Sequence, residues 1–167
     1  MEPKNYFIAF ILFILFVVIA SADEALTRDE RVVALTILGE ARGEGKSGMY
    51  AVGCVIQKRA SERNLTPAKV CLQPYQFSIW NAGKGKVKKE SELHYLWKSK
   101  SMMYARELAR GICKGKKLSQ KYTGGANHYC TLNTHNKWTR KTKAIKVIGN
   151  HKFFKLPWGS NIYKVQI

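Results

Sequence analysis

The sequence predicts an α+β fold with its helices first, on three observations. Up to about Gly115, apolar residues recur at helical spacing and the runs carry helix-capping residues. From Tyr122 onward glycine-rich turns and aromatic or β-branched residues take over, which reads as short strands or a hairpin. The length of 167 residues, 46% of them hydrophobic and 24% charged, suits one domain with a real core; it is too short for two and too apolar for a disordered tail.

Tyr6 to Ala20 is an unbroken apolar run of 15 residues, preceded by Lys4 and followed by the small-x-small pattern Ala20-Ser21-Ala22. It is short of the about 20 apolar residues that span a bilayer, so residues 1–22 read as a secretory signal peptide, with an N-terminal membrane anchor as the rival. Either way residues 23–167 are expected to form a single domain working outside the cytoplasm: secreted, periplasmic or wall-bound, or held by the anchor and facing outward.

The first helix is expected over about 28 to 41, because Thr27-Arg28-Asp29-Glu30 has the form of a capping box ahead of Val32, Val33, Leu35, Ile37 and Leu38. After Gly43, Gly45 and Gly48, the spacing of Met49, Val52, Val55, Ile56 and Arg59 predicts a second helix over about 48 to 61. Thr66-Pro67 opens a short helix to Leu72 that Pro74 terminates. Asn81 to Lys89 reads as a mobile basic loop. Ser91 opens a long third helix through Leu93, Leu96, Trp97, Met103, Leu108 and Ile112 to the Gly115 region. Near the C-terminus, Ala144 to Val147 and Lys152 to Leu156 flank the turn pair Gly149-Asn150.

Lys and Arg total 29 against 11 Asp and Glu, a formal charge of +18 with a sequence pI near 9.9. A partner or substrate bearing negative charge follows. Nucleic acid, anionic lipid and bacterial cell wall all qualify, but an exported chain argues against nucleic acid. Cys54, Cys71, Cys113 and Cys130 leave room for one or two disulfide bridges in an oxidising compartment, in any of three full pairings. None stands in the C-x-x-C spacing of a zinc site.

Acidic residues can be enumerated, and none follows Glu107 in the last 60 positions. Asp23, Glu24, Asp29 and Glu30 complement the dipole at the start of the first helix. Glu62, Glu90, Glu92 and Glu107 read as solvated. Glu40 remains, at the C-terminal end of an apolar helix where the carbonyl dipoles and a low dielectric both disfavour an ionised carboxylate, as a general acid requires. Its plain alternative is a helix-end ion pair. Glu44, in the glycine-rich loop, is an auxiliary candidate that could equally pair with Arg42 or a lysine. His128, His135 and His151 could hold a zinc ion, but their spacing matches no compact ligand motif and no local carboxylate supports them, so no metal and no cofactor is expected. The aromatics and amides of Tyr75 to Trp80 and Asn127 to Tyr129 suit a sugar ring, with its apolar face and hydroxyl rim, or an ordinary small core.

Taken in order, five segments resemble the SleB-type cell wall hydrolase family, the spore cortex-lytic enzymes and their relatives. They are Gly39-Glu40-Ala41-Arg42-Gly43-Glu44, then Ala51-Val52 with Val55-Ile56 and Arg59, then Gln76-Phe77-Ser78, then Thr123-Gly124-Gly125-Ala126-Asn127-His128-Tyr129, and Ile148-Gly149-Asn150-His151 before Phe153-Phe154. Lys58, Ile79 and Asn127 depart from the pattern, which bears on substrate preference and not on class. The resemblance implies a lysozyme-like fold, mainly helical with a small β-hairpin region, with one catalytic glutamate at the position of Glu40. It also implies that Gln76, Phe77, Ser78, Thr123, His128, Tyr129 and His151 serve a glycan groove.

A hydrolase with two carboxylates needs a second Asp or Glu at a set distance, and this chain has almost none to offer. One acid suffices for a lytic transglycosylase, which cuts the bond between N-acetylmuramic acid and N-acetylglucosamine and leaves a 1,6-anhydro sugar. The expected partners are peptidoglycan glycan strands and anionic wall polymers, with no nucleic acid, a transient membrane contact through the N-terminal segment, and a monomeric enzyme. The alternatives are a muramidase hydrolysing the same bond with Glu44 or a held water, a zinc amidase built on the three histidines, and a non-enzymatic cationic wall-binding protein.

Overall fold

Thr27 and Glu30 form the reciprocal cap that their spacing predicts: the Thr27 hydroxyl accepts from the Glu30 N–H and the Glu30 carboxylate from the Thr27 N–H. Helix α1 follows over Arg28–Ala41. It is apolar on nearly every side, with Val32 through Leu38 buried, so it becomes the central helix on which the others pack. The structure, a computed structural model, describes residues 25–135 and 137–157; the expected signal segment lies outside the described residues. Among those described, no helix is long and apolar enough to cross a membrane.

A 3₁₀ turn over Arg42–Glu44 leads into α2, Gly45–Arg63. This helix starts three residues earlier than the spacing suggests, because Gly45 at φ 65° lets the chain swing straight from the turn into the helix. Asn64 ends α2 in the left-handed conformation. Helix α3 is Pro67–Cys71, capped by the Thr66 hydroxyl.

The third helix expected from Ser91 onward is two elements. Glu90–Lys98 is a 3₁₀ helix, Ser99 is extended, and α4 runs over Met102–Cys113. Leu93 and Leu96 are buried at a spacing of three, the period of a 3₁₀ helix. Ala105, Leu108, Ala109 and Ile112 are buried at the i, i+3, i+4, i+7 spacing of an α-helix facing the core. No single helix serves both periods, and the chain breaks between them. The basic segment 81–89 is likewise more ordered than a mobile loop: Asn81 bridges Val87, and the intervening turn closes on the Lys86 N–H to Gly83 carbonyl bond.

A 3₁₀ turn over Gln120–Thr123 precedes β1, His128–Thr131. After a short helix α5 at Lys137–Lys141, β2 is Lys146–Ile148 and β3 is His151–Phe154. The sheet is antiparallel in the order β1-β3-β2, with His128 opposite Phe154 and Thr131 opposite His151. Gly149-Asn150 forms the expected hairpin turn, with Gly149 at φ 55°. Ala51 and Val55 of α2 meet Ala126 and Phe153 in a small second core that fixes the sheet against the helices.

All four cysteines are free thiols, so the expected disulfide bridges are not built. Cys54 and Cys71 are buried core groups instead, and burial pushes both thiols up to about 12.

Candidate active site

Glu40 stands one residue before the end of α1, where the sheet and the 78–80 turn converge. Its Oε1 accepts from the Ser78 hydroxyl at 2.9 Å and the Ile79 N–H at 3.0 Å. Its Oε2 accepts from the Tyr129 hydroxyl at 2.8 Å. Three neutral donors therefore surround the carboxylate, in place of the apolar setting or helix-end ion pair that the preceding run suggests.

Each donor has its own support. Ser78–Trp80 is a 3₁₀ turn, and the buried Trp80 donates its indole N–H to Thr36 Oγ1 at 2.8 Å, which ties the turn to α1 one helical turn before Glu40. Gly39 makes the close approach possible: a Cβ there would run into the Ile79 side chain. Tyr129 is carried on β1, its ring edge-on to His151 at 5.2 Å and tilted against Phe153 at 5.7 Å. Burial, then the facing Glu40 carboxylate, hold its phenol well above the ordinary tyrosine value, so it stays protonated.

Arg59, 4% exposed, joins the two walls of the site. Its Nε donates to the Asn127 carbonyl and its Nη1 to the Gln76 carbonyl, both at 2.7 Å, with the guanidinium 4.9 Å from the centre of the Phe77 ring. Asn127 is a second hub. Its Nδ2 donates to Glu62 and to the Leu156 carbonyl, and its Oδ1 accepts from the Leu156 N–H and from His128 Nδ1, which fixes the tautomer of that histidine. Burial, with Arg59 and Arg63 adding to it, lowers His128 to about 3, so the ring is neutral. Arg59 and Asn127 stand inside the motifs, but the bonds from Arg59 to Asn127 and from Asn127 to Glu62 join residues 68 and 65 positions apart and leave no local signal.

The sequence-predicted residues thus divide. Ser78 and Tyr129 touch Glu40 directly, and His151 packs behind Tyr129. Gln76 is turned toward Arg63, Phe77 lies buried under Arg59, and Thr123 is fully buried with its hydroxyl toward the Gln120 carbonyl. His128 is locked to Asn127. Glu44 has a partner of its own: its Oε2 accepts the Asn150 N–H at 2.6 Å and holds the β2–β3 turn. Nor do the three histidines assemble. His135 is exposed beyond β1, and among the described residues no group of three or more His, Cys, Asp or Glu side chains is placed to hold a metal ion.

The family model described as cell wall hydrolase matches residues 43–154, about two thirds of the chain. The chain belongs to that family. This cell wall hydrolase is also similar in fold to the catalytic domain of the germination-specific lytic transglycosylase SleB from Bacillus anthracis. That match has 23% identity and a TM-score of 0.55, and covers 80% of this chain and 99% of the other. The catalytic domain of the Bacillus cereus SleB protein matches with 26% identity and a TM-score of 0.52, over 80% of this chain and 94% of that one. No curated protein sequence matches it. The family match begins three residues after Glu40 and does not include it.

Proposed function

We propose that this cell wall hydrolase is a peptidoglycan lytic transglycosylase in which Glu40 is the single acid and base. The observation that carries the reading is the convergence of Ser78, Ile79 and Tyr129 on one carboxylate. The SleB likeness supports it, since the Bacillus anthracis domain is described as a lytic transglycosylase.

In this reading the two oxygens do different work. Among the described residues, Oε1 accepts from two donors and Oε2 from the Tyr129 hydroxyl alone, which can turn to accept while a proton resides there. The mobile proton therefore belongs to Oε2. It passes to the glycosidic oxygen as the bond from C1 of N-acetylmuramic acid breaks. The carboxylate left behind, held by its donors, faces the positive charge developing on the sugar. It then takes the proton of the muramoyl C6 hydroxyl as that oxygen bonds to C1. Atoms balance without water, and the acid is regenerated.

Most of the other described carboxylates are engaged with partners of their own, Glu44 with the Asn150 N–H. Glu30 caps α1, Glu90 pairs with Arg31 at 2.6 Å, Glu92 caps its own 3₁₀ helix, and Glu62 is shared by Lys58 and Asn127. Asp29 sits in the first turn of α1, at the opposite end from Glu40, and Glu107 lies on α4. Action on the wall also requires export; the apolar run at residues 6–20 supports secretion or an outward-facing anchor. We read the enzyme as a monomeric domain over residues 23–167.

The test is a pair of variants assayed on purified peptidoglycan. Glu40→Gln abolishes release of soluble fragments. Glu44→Gln, which keeps an acceptor for the Asn150 N–H, retains activity within about threefold, a change of under 1 kcal/mol. An active Glu40→Gln enzyme refutes the assignment, and a dead Glu44→Gln enzyme moves the reaction toward two-carboxylate hydrolysis.

A further inference from the structure

A cleft of about 430 Å³ lies between the first turn of α2 and the outer face of α4. Lys46 enters it from α2, and Lys100, Arg106 and Arg110 from the segment leading into and along α4; the one carboxylate in its lining is Glu107. The reaction proposed for Glu40 uses none of these groups. We propose that this cleft binds a linear phosphodiester polymer of the cell wall, a polyol phosphate, beside the glycan strand being cut; this rests on the reading of the chain as a wall-cleaving enzyme.

Four cations against one carboxylate in a concave space give a local positive field that an anionic chain relieves. Two of the four are arginines, whose planar forks match phosphate oxygens in pairs. The Lys46 ammonium is held 5.5 Å from the centre of the Tyr104 ring, so its charge is stationed at the cleft. Met103, 64% exposed, adds an apolar surface suited to the carbon units between phosphates. The stem peptides of peptidoglycan also carry carboxylates, but on separate muramoyl units. Cations gathered in one cleft fit charge that repeats along a continuous chain. The cleft also sits next to the reaction: the Ser101 hydroxyl donates to the Arg42 carbonyl at 3.3 Å, joining the start of α4 to the turn that leaves Glu40.

The test measures binding of the full chain to poly(glycerol phosphate) free of lipid, at about 0.15 M salt, where non-specific surface attraction is largely screened. Lys46→Glu with Lys100→Glu alters two exposed side chains and weakens binding about tenfold or more, whereas Lys84→Glu with Lys86→Glu, an equal charge change in the exposed 81–89 segment, shifts it by less than about threefold. Polyglutamate binds more weakly than the phosphate polymer. Equal losses in the two double variants would reduce the effect to net charge and overturn the site. Polyglutamate bound as tightly would overturn the phosphodiester, and so would a wild type that ignores poly(glycerol phosphate). Cleavage of polymer-free glycan strands is followed in parallel and stays unchanged in Lys46→Glu/Lys100→Glu. A wild type that cleaves nothing refutes the enzymatic reading, whatever the binding arm returns.

Discussion

In the reaction proposed for Glu40, Tyr129 acts through one oxygen. Its phenol is held protonated by burial and by the carboxylate it faces, so at any working pH it offers Glu40 Oε2 a hydrogen bond and, when turned, an acceptor. A hydrogen bond to a charged group contributes about 1.5–3 kcal/mol, so Tyr129→Phe lowers kcat by about tenfold to a hundredfold with KM little changed. Steady-state kinetics on solubilised glycan strands check this; an unaltered kcat would remove Tyr129 from the reaction. His128 gives a prediction about stability. Its folded value, lowered to about 3 from 6.5, means that the unfolded chain binds the extra proton between those values. Stability is therefore unaffected by this group above pH 6.5 and falls as pH drops from there toward 3, with a slope approaching about 1.4 kcal/mol per pH unit. Against His128→Gln, whose side chain does not titrate, thermal melts of the wild type lose ground as pH is lowered from 7 to 4. Parallel curves would show that the ring does not carry this linkage.

Among the elements, the joint between α1 and the 78–80 turn decides whether Glu40 is set up at all. Gly39→Ala places a methyl group into Ile79 and pushes the turn off the helix. The expected cost is about 1–3 kcal/mol of stability, the usual penalty of overpacking, together with a loss of activity larger than any change in glycan binding. Ile79→Ala in the same chain removes the nearest colliding atom but leaves Cβ, so recovery is partial. Denaturant unfolding of the single and double variants checks both; full stability in Gly39→Ala would show that the contact is not tight. Local elements were readable from sequence where their signals are local. The Thr27 to Glu30 box caps α1, Thr66-Pro67 opens α3, and Gly149-Asn150 turns the hairpin. The break at Ser99 was not, because the apolar spacing on either side resembles one long helix and only packing separates a period of 3 from 3.6. The joint itself was visible only as motifs in the resemblance, since Trp80 to Thr36 and Arg59 to Gln76 and Asn127 are bonds across the fold.

At the scale of the molecule, cationic charge is spread over the chain and reaches the walls of the site through Arg59. The excess of +18 can hold the enzyme to an anionic wall, while the groups touching Glu40 are neutral. The scarcity of acidic residues, legible in the sequence, carries through to the structure, where the described carboxylates other than Glu40 are caps, ion pairs or turn anchors, or stand away from it on α1 and α4. That Glu44 anchors a turn was not legible, because its partner lies 106 residues away in the sequence. In the reaction proposed here, one glutamate cuts the glycan without water. Mass spectrometry of soluble muropeptides released from purified peptidoglycan, with Glu40→Gln beside the wild type, tests it most directly. The expected outcome is 1,6-anhydro products from the wild type and none from the variant; products with ordinary reducing ends would refute cleavage without water.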